Sequence, residues 1–472
     1  MRDYSFGNFL HELRLSRGLT QYQLGALVGV SDKAVSKWEN GTSKPQSNIL
    51  YKLSKLLGVS VDELLACKYN SSEKEESKGV FAMKKQLWDK AFNAMFERFG
   101  NPAPIEITNR LLTEQAEMQN SDIIIFFDLL SLLVSEAKKQ GEYIRVSDYT
   151  GAFLVAYLLG ATEINPLKPH YFCSECRSLV FDDNAKNGWD LPKRKCTCGK
   201  EMLSDGHNIS FEPYRYDVHK NLFFHISVSP KYLPSAKAIV QNYFKDCKLT
   251  IKKEEETEVV LYTELSEKSK FSITLLICNE YVQYKKLMDT TAIPFEEVQF
   301  DSKEVLEEIR KCNTEGVIGL RAEFITDMLK KFHPESFYEL IHLSGLSHID
   351  SEKLIRDSTS LSNIFAYRDD VFNYVQEKMN AKGLTDTGFA YKVMKDTYRG
   401  IYSQNGVPYD IQFNLKAIGM DDSFIKSISS VRYLFCKTYG ITSIKLGATL
   451  MWYKMYYPKE FNEIIMQTHE IV

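Results

Sequence analysis

RGLTQYQLGALVGVSDKAVSKWENGTSKP, residues 17–45, decides how the first part of this chain folds. Thr20 stands three residues before Gln23, the capping-box spacing, and predicts a helix that stops near Gly29. Ser31 is placed to cap the next helix, DKAVSKWEN, which closes at Asn40-Gly41. The link between the two, LVGVS, is a tight turn with a glycine. Ahead of them LHELRLSRG reads as a further helix; a fourth follows Pro45, and Ser60 with Glu63 opens a short fifth. Leu13, Leu24, Leu27, Val35, Leu53 and Leu56 fall on the inward positions of these helices.

Two helices joined by such a turn make a helix-turn-helix. The quoted stretch resembles the lambda-repressor-like (Cro-like, XRE) DNA-binding family along its whole length. The resemblance implies double-stranded DNA as a partner, with Asp32, Lys33, Ser36 and Lys37 on the groove-facing side of the recognition helix and Gln21 placed to bind phosphate. Val35 and Trp38 then face inward. Asp32 departs from a purely basic surface, since a carboxylate in the groove repels phosphate and only accepts from a cytosine amine. A homodimer is expected, because one recognition helix contacts too few bases for useful specificity.

Outward from this unit, CKYNSSEKEESKG (67–79) has almost nothing to bury and reads as a solvated linker. The whole chain has 472 residues, 44% hydrophobic and 26% charged, the composition of a multidomain globular protein. Lys and Arg total 59 against 62 Asp and Glu, a net charge of −3, which excludes a uniformly basic coat for nucleic acid; DNA contact must come from a local patch. The longest apolar run, Ile123 to Val134, is broken by Asp128 and Ser131 and predicts a buried helix rather than a membrane span. MRDYSF has no hydrophobic signal core, so a cytoplasmic protein with no membrane partner is expected. Nine cysteines in such a chain argue for thiols or metal ligands.

Four of those cysteines are paired. Cys173-Ser-Glu-Cys176 is followed by Cys196-Thr-Cys198-Gly199, and two close thiolate pairs joined by a loop supply the tetrahedral set that Zn2+ needs. The metal ligands expected are Cys173, Cys176, Cys196 and Cys198, within a zinc-binding segment at 170–210. The second pair has one residue between its cysteines where ribbons usually have two. His170 and His207 flank the set as structural or surface histidines.

ATEINPLKPHYFCSEC (161–176), GWDLPKRKCTCG (188–199) and DGHNISFE (205–212) resemble the palm region of PolC-type bacterial DNA polymerase III. PESFYELIHLSGLSH (334–348), AYRDDV (366–371) and SSVRYLFCKTYG (429–440) resemble that family's helical, fingers-like segments. The resemblance implies an α+β polymerase-palm-like domain at 80–295 with an inserted zinc ribbon, then a mainly α fingers-like region at 296–472, behind an all-α helix-turn-helix domain at 1–66 and the linker at 67–79. In the family, two aspartates on one face of a strand hold the magnesium ions of phosphoryl transfer. Here that strand reads LFFHISVS, and the two positions are Phe223 and His225, which offer magnesium no oxygen ligand. Where the family has a Gly-Ser-rich triphosphate loop, this chain has Arg145-Val146-Ser147-Asp148-Tyr149. The family's Phe-Pro-Lys-Ala-His becomes Phe435-Cys436-Lys437-Thr438-Tyr439, keeping the lysine and losing the histidine. Asp289 is the candidate for a third carboxylate.

These departures lead to an expectation that the chain is not an enzyme. On that reading it is a sequence-specific DNA-binding regulator carrying a catalytically inactive PolC-like body, with no catalytic residues. Two alternatives stand beside it: a divergent DNA polymerase or nucleotidyltransferase with relocated carboxylates, and a PolC mimic that engages replication proteins. Lys437 and Arg368 remain on fingers-like segments, and with them primer–template or single-stranded DNA is a further candidate partner.

Overall fold

The structure is a computed structural model that describes residues 6–17, 19–67, 75–119, 121–218, 222–245, 248–266, 269–346 and 364–466. Its first unit is five short helices, α1 (Phe6–Ser16), α2 (Gln21–Val28), α3 (Asp32–Glu39), α4 (Ser47–Leu57) and α5 (Val61–Ala66). Thr20 and Gln23 form a reciprocal capping box, Gly29 ends α2 in the left-handed region at φ 82°, and Ser31 caps α3 through the amide of Ala34. Ser60 and Glu63 close a second box ahead of α5. Leu13, Leu24, Val35 and Leu53 are buried and Leu27 and Leu56 partly so, with Phe9, Leu10, Trp38, Leu57 and Leu64 completing the core.

The linker expected at 67–79 gives way earlier than its composition suggests. Residues 68–74 lie outside the described residues, but α6 (Glu75–Phe99) already runs from Glu75. Glu and Lys are good helix formers, so the charged composition of this stretch is compatible with helix. Leu87, Ala91, Met95 and Phe99 then form its inward stripe.

The five-helix unit is seated on α6 and α7 (Ile105–Glu117). Arg17, in the turn between α1 and α2, is buried between the two parts. Its Nη1 donates to Asp89 Oδ1 at 3.1 Å and its Nη2 to the Leu57 carbonyl at 3.4 Å, while Cζ lies 4.9 Å from the centre of the buried Phe92 ring. Gly58, at φ 70°, ends α4 beside both Arg17 and Gln115 of α7.

The body is built on a five-stranded sheet. Its strands are β1 (Ile144–Val146), β5 (Leu222–Val228), β6 (Lys248–Glu254), β7 (Glu258–Ser266) and β8 (Ser269–Ile277), in the order β1-β5-β8-β7-β6. β5 and β8 run parallel with Phe223 opposite Ser272 and His225 opposite Thr274; the other pairs are antiparallel. Helix α8 (Ile123–Lys139), the buried helix expected from its apolar run, backs the sheet: Phe126 stacks on Phe224 at 5.0 Å and on Phe271 at 3.8 Å. Helices α9 (Leu154–Leu159) and α10 (Leu233–Tyr243) complete this layer. In the charge run 252–258, which reads as a loop, 255–257 form the turn, while 252–254 end β6 and 258 starts β7. β6 is an edge strand, where charge is favourable because one side faces water, and Lys253 pairs with Glu255 and Glu258 across the turn.

A second, three-stranded sheet inserts between β1 and β5, with β2 (His170–Phe172) between β3 (Leu179–Phe181) and β4 (Leu203–Asp205). Beyond the large sheet the chain is helical: α11 (Glu280–Thr291), α12 (Lys303–Arg310), α13 (Glu323–Phe332), α14 (Phe337–Gly345), α15 (Arg368–Ala381), α16 (Gly388–Tyr398), α17 (Ile401–Asn405), α18 (Tyr409–Ala417), α19 (Asp422–Ser429) and α20 (Lys437–Tyr456). No helix among the described residues is long and apolar enough to cross a membrane.

Candidate nucleic-acid interface and thiol cluster

Helix α3 presents Asp32, Lys33 and Lys37 to solvent and Ser36 half-exposed, while Val35 and Trp38 pack inward. Asp32 is turned to local use, because its Oδ1 accepts from the Lys33 amide at 2.8 Å. Ser36 Oγ accepts from Asn40 Nδ2 at 3.3 Å. Gln21 does not stand as a simple phosphate donor: its Nε2 donates to Glu39 Oε2 at 2.9 Å.

Glu39 is the residue that sequence reading missed. It is buried at the end of α3, and Arg14 of α1 grips it in a fork, Nε to Oε1 at 2.6 Å and Nη2 to Oε2 at 2.9 Å. His11 Nδ1 lies 2.9 Å from the same carboxylate. Burial raises the Glu39 carboxyl, but the hydrogen bonds from Arg14, Gln21 and His11 outweigh it and leave the group below its ordinary value. This network locks α3 to α1 and α2. Its sequence signal is only an Arg and a Glu 25 positions apart, which nothing local connects.

On β5 the side chains alternate. Phe224, Ile226 and Val228 are fully buried against α8, and Phe223 (57% exposed) and His225 stand on the opposite, open face. Asp148, just beyond β1, touches this strand: its Oδ2 accepts from the His225 amide at 3.2 Å, and its Oδ1 accepts from the Thr150 amide at 2.8 Å and from the Thr150 hydroxyl. Burial pushes the Asp148 carboxyl up, against the lowering effect of the Thr150 bonds. Asp289 lies on α11, where Lys285 is 3.7 Å away, and no contact among the described residues joins it to Phe223 or His225.

The cations retained on the helical part are engaged within the fold. The Arg368 guanidinium lies 4.7 Å from the ring of Tyr214, 5.1 Å from that of Tyr398 and 6.0 Å from that of Tyr149, and Tyr149 in turn stacks on Tyr214 at 5.8 Å. Lys437 Nζ donates to the His207 carbonyl at 3.2 Å and sits 5.4 Å from the Tyr338 ring.

The small sheet brings the four paired cysteines together. The Sγ atoms of Cys173, Cys176, Cys196 and Cys198 all lie within 4.8 Å of one another, with Cys173 to Cys198 at 3.5 Å and Cys176 to Cys196 at 3.3 Å. Four sulfurs each about 2.3 Å from one tetrahedral ion are about 3.8 Å apart, so the set fits one metal ion. The backbone amide of Cys176 lowers the Cys173 thiol, and that of Cys198 lowers Cys196 to about 6; such amide bonds stabilise thiolate ligands. Cys176 is pushed up to about 12 and Cys198 is raised, as expected where neighbouring thiols share hydrogen bonds. Gly199 at φ 89° makes the turn behind the second pair. Neither histidine joins the cluster: His170 Nδ1 bonds the Lys168 carbonyl at 2.7 Å, and His207 packs edge-on against Trp189, its imidazole pushed down to about 4 by burial.

Comparison with known proteins matches two of these regions to families. Residues 10–64 match the helix-turn-helix family model, and residues 274–380 match the model of the bacterial DNA polymerase III alpha subunit finger domain. The DNA polymerase III PolC-type of Thermotoga petrophila is 24% identical over an alignment that covers 78% of this chain and 33% of that protein. That of Caldanaerobacter subterraneus is 24% identical over 77% of this chain and 32% of its own length, and that of Ureaplasma parvum 24% over 79% and 32%. This chain therefore spans about a third of the length of the curated relatives it matches. These matches overturn the expectation that the chain is not an enzyme: the proteins aligned with most of its length carry the name of a polymerase.

Proposed function

We propose that the chain is a DNA-binding protein in which a helix-turn-helix that reads duplex DNA, as a homodimer in the cytoplasm, is joined to a PolC-like body that engages DNA of the primer–template kind. The observation that carries this reading is the exposed α3 face of Lys33, Ser36 and Lys37, set on a core that the Glu39 network fixes. Phosphate contacts from Lys37 supply affinity for any sequence, and Lys33 reads a base edge. Selection of binding sites from a random duplex library by the full chain tests it. Enrichment of no sequence, or enrichment unchanged in a Lys33→Ala, Lys37→Ala double variant, refutes it.

The four-thiol cluster supports a structural Zn2+ held by Cys173, Cys176, Cys196 and Cys198. A closed site of four sulfurs leaves no position for substrate, so the ion's contribution is to fold the insert.

The polymerase name of the relatives favours a second reading for the body, nucleotidyl transfer. Positions 223 and 225 carry no carboxylate, so transfer here requires carboxylates placed elsewhere, and Asp148, in contact with the His225 amide, is the candidate. Primer extension with magnesium or manganese and all four deoxynucleotides tests this. Incorporation lost in Asp148→Asn supports it; no incorporation by the full chain with either metal refutes it.

A further inference from the structure

A cavity of about 150 Å3 opens at the β1 edge of the large sheet, between α8, the turn after α9, and α20. In the β1–β5 register Arg145 stands opposite Ser227, so it leaves the sheet on the His225 face, at the β1 edge.

Of its six charged groups four form two ion pairs, and Glu142 and Arg145 have no charged partner among the described residues. Lys445 Nζ is 2.5 Å from Glu163 Oε2, and Lys138 Nζ is 4.0 Å from Glu296 Oε1. Glu142 accepts from the Ser229 hydroxyl at 2.7 Å. The Arg145 guanidinium lies 5.4 Å from the centre of the Tyr439 ring and hydrogen-bonds the Tyr439 side chain, its Nη1 is 3.5 Å from Ser443 Oγ, and its Nε is buried with no hydrogen-bond partner. A cation held this far from water by neutral groups alone is costly, and an anion placed against it removes the cost. The guanidinium fork is matched by a planar carboxylate or a phosphate, which takes two parallel N–H bonds. The rest of the wall is suited to an apolar body. Tyr143 and Phe295, with ring centres 5.3 Å apart, line it together with Val134 and Leu446. Cavities of about 150 Å3 take a molecule the size of benzene.

We propose that this cavity binds a compact organic anion, a carboxylate or phosphate monoester with a body of about one ring, its anionic group on Arg145. The ligand joins strand β1 to helix α20, two elements far apart in the chain.

Titration calorimetry on the full chain tests the proposal, with benzoate and phenyl phosphate as probes and benzamide as the neutral control. The expected result is binding of at least one anion with Kd below about 1 mM and of benzamide at least about tenfold more weakly. Arg145→Gln is expected to weaken the anion about tenfold or more while leaving benzamide unchanged. Thr449→Leu, which keeps every charge and fills the cavity, is expected to weaken anion and neutral probe alike, and it carries the test if Arg145→Gln does not fold. The proposal is overturned if neither anion binds at about 10 mM, if benzamide binds as well as benzoate, or if folded Arg145→Gln and Thr449→Leu both bind the anion as the unaltered protein does.

Discussion

Arg17→Ala is the substitution that asks whether the helix-turn-helix and the body act as one unit. Arg17 is buried and reaches across the boundary in two ways. Its contact with the buried Phe92 ring is desolvated, worth about 2 kcal/mol. Its bond to Asp89 is worth less than a buried ion pair, because Asp89 is 42% exposed, and about 0.5–1 kcal/mol is a fair figure after solvent screening. The Leu57 bond is internal to the helix-turn-helix and long at 3.4 Å, so it adds little to docking. Together these give about 3 kcal/mol, roughly a hundredfold in the population of undocked molecules. In small-angle scattering the variant should show a larger radius of gyration than the unaltered chain. In urea, Trp38 fluorescence should report a separate, earlier transition for the first unit. Arg17→Lys, which keeps the charge and loses the flat fork, should fall between the two. Scattering curves and unfolding transitions that superimpose with those of the unaltered chain would show that other contacts between α4 and α7 carry the docking.

Three further outcomes are expected. Protein purified without added metal should carry about one zinc per chain; a content near zero, or one unchanged by Cys173→Ser with Cys176→Ser, removes the site. The stability of the helix-turn-helix should fall in acid. Glu39 is below its usual value in the folded state, so its contribution is complete above the unfolded value of 4.5 and is lost as pH falls through the lower folded value; denaturation midpoints at neutral and acid pH should converge in Glu39→Gln, and a parallel pH dependence in that variant contradicts the argument. Lys37→Ala should weaken binding to all duplexes, whereas Lys33→Ala should relax preference at one base pair by about 1–3 kcal/mol; identical effects of the two would mean that neither reads a base.

Local signals carried over well from sequence to structure, and long-range ones did not. Thr20 with Gln23 and Ser60 with Glu63 announce their helices because a cap acts over three residues. The cysteine pairs announce their cluster because each knuckle is a tight turn. By contrast, Arg14 and Glu39 are 25 positions apart, Arg17 and Asp89 are 72, and Arg145 and Ser443 are 298. Neither periodicity nor composition links such positions. At its two ends the charge run at 252–258 misled for a different reason: edge strands tolerate charge, so polarity there does not distinguish a strand from a loop. The strand LFFHISVS could be placed from text, and its open face could be read from the period of two, but the contact of Asp148 with its backbone needed the fold.

If both parts engage DNA as proposed, the docking of the first unit changes what joining them can achieve. If a flexible linker connected them, the second contact would gain from an effective concentration set by linker length, and almost any spacing of sites would serve. Arg17 instead fixes the turn between α1 and α2 against α6, while the exposed side chains of α3 stay clear. A fixed span is more demanding. On the proposed function, DNA that presents a duplex site and a primer terminus at the matching distance should be bound by both parts with little further loss of freedom, and DNA at other distances by one part only. Arg17→Ala should therefore flatten the dependence of affinity on that distance, lowering the best affinity and raising the others. Measuring affinity over a series of duplexes whose primer terminus is moved in steps of one helical turn decides the matter: a dependence that is already flat in the unaltered chain would mean that the two parts bind DNA independently despite their docking.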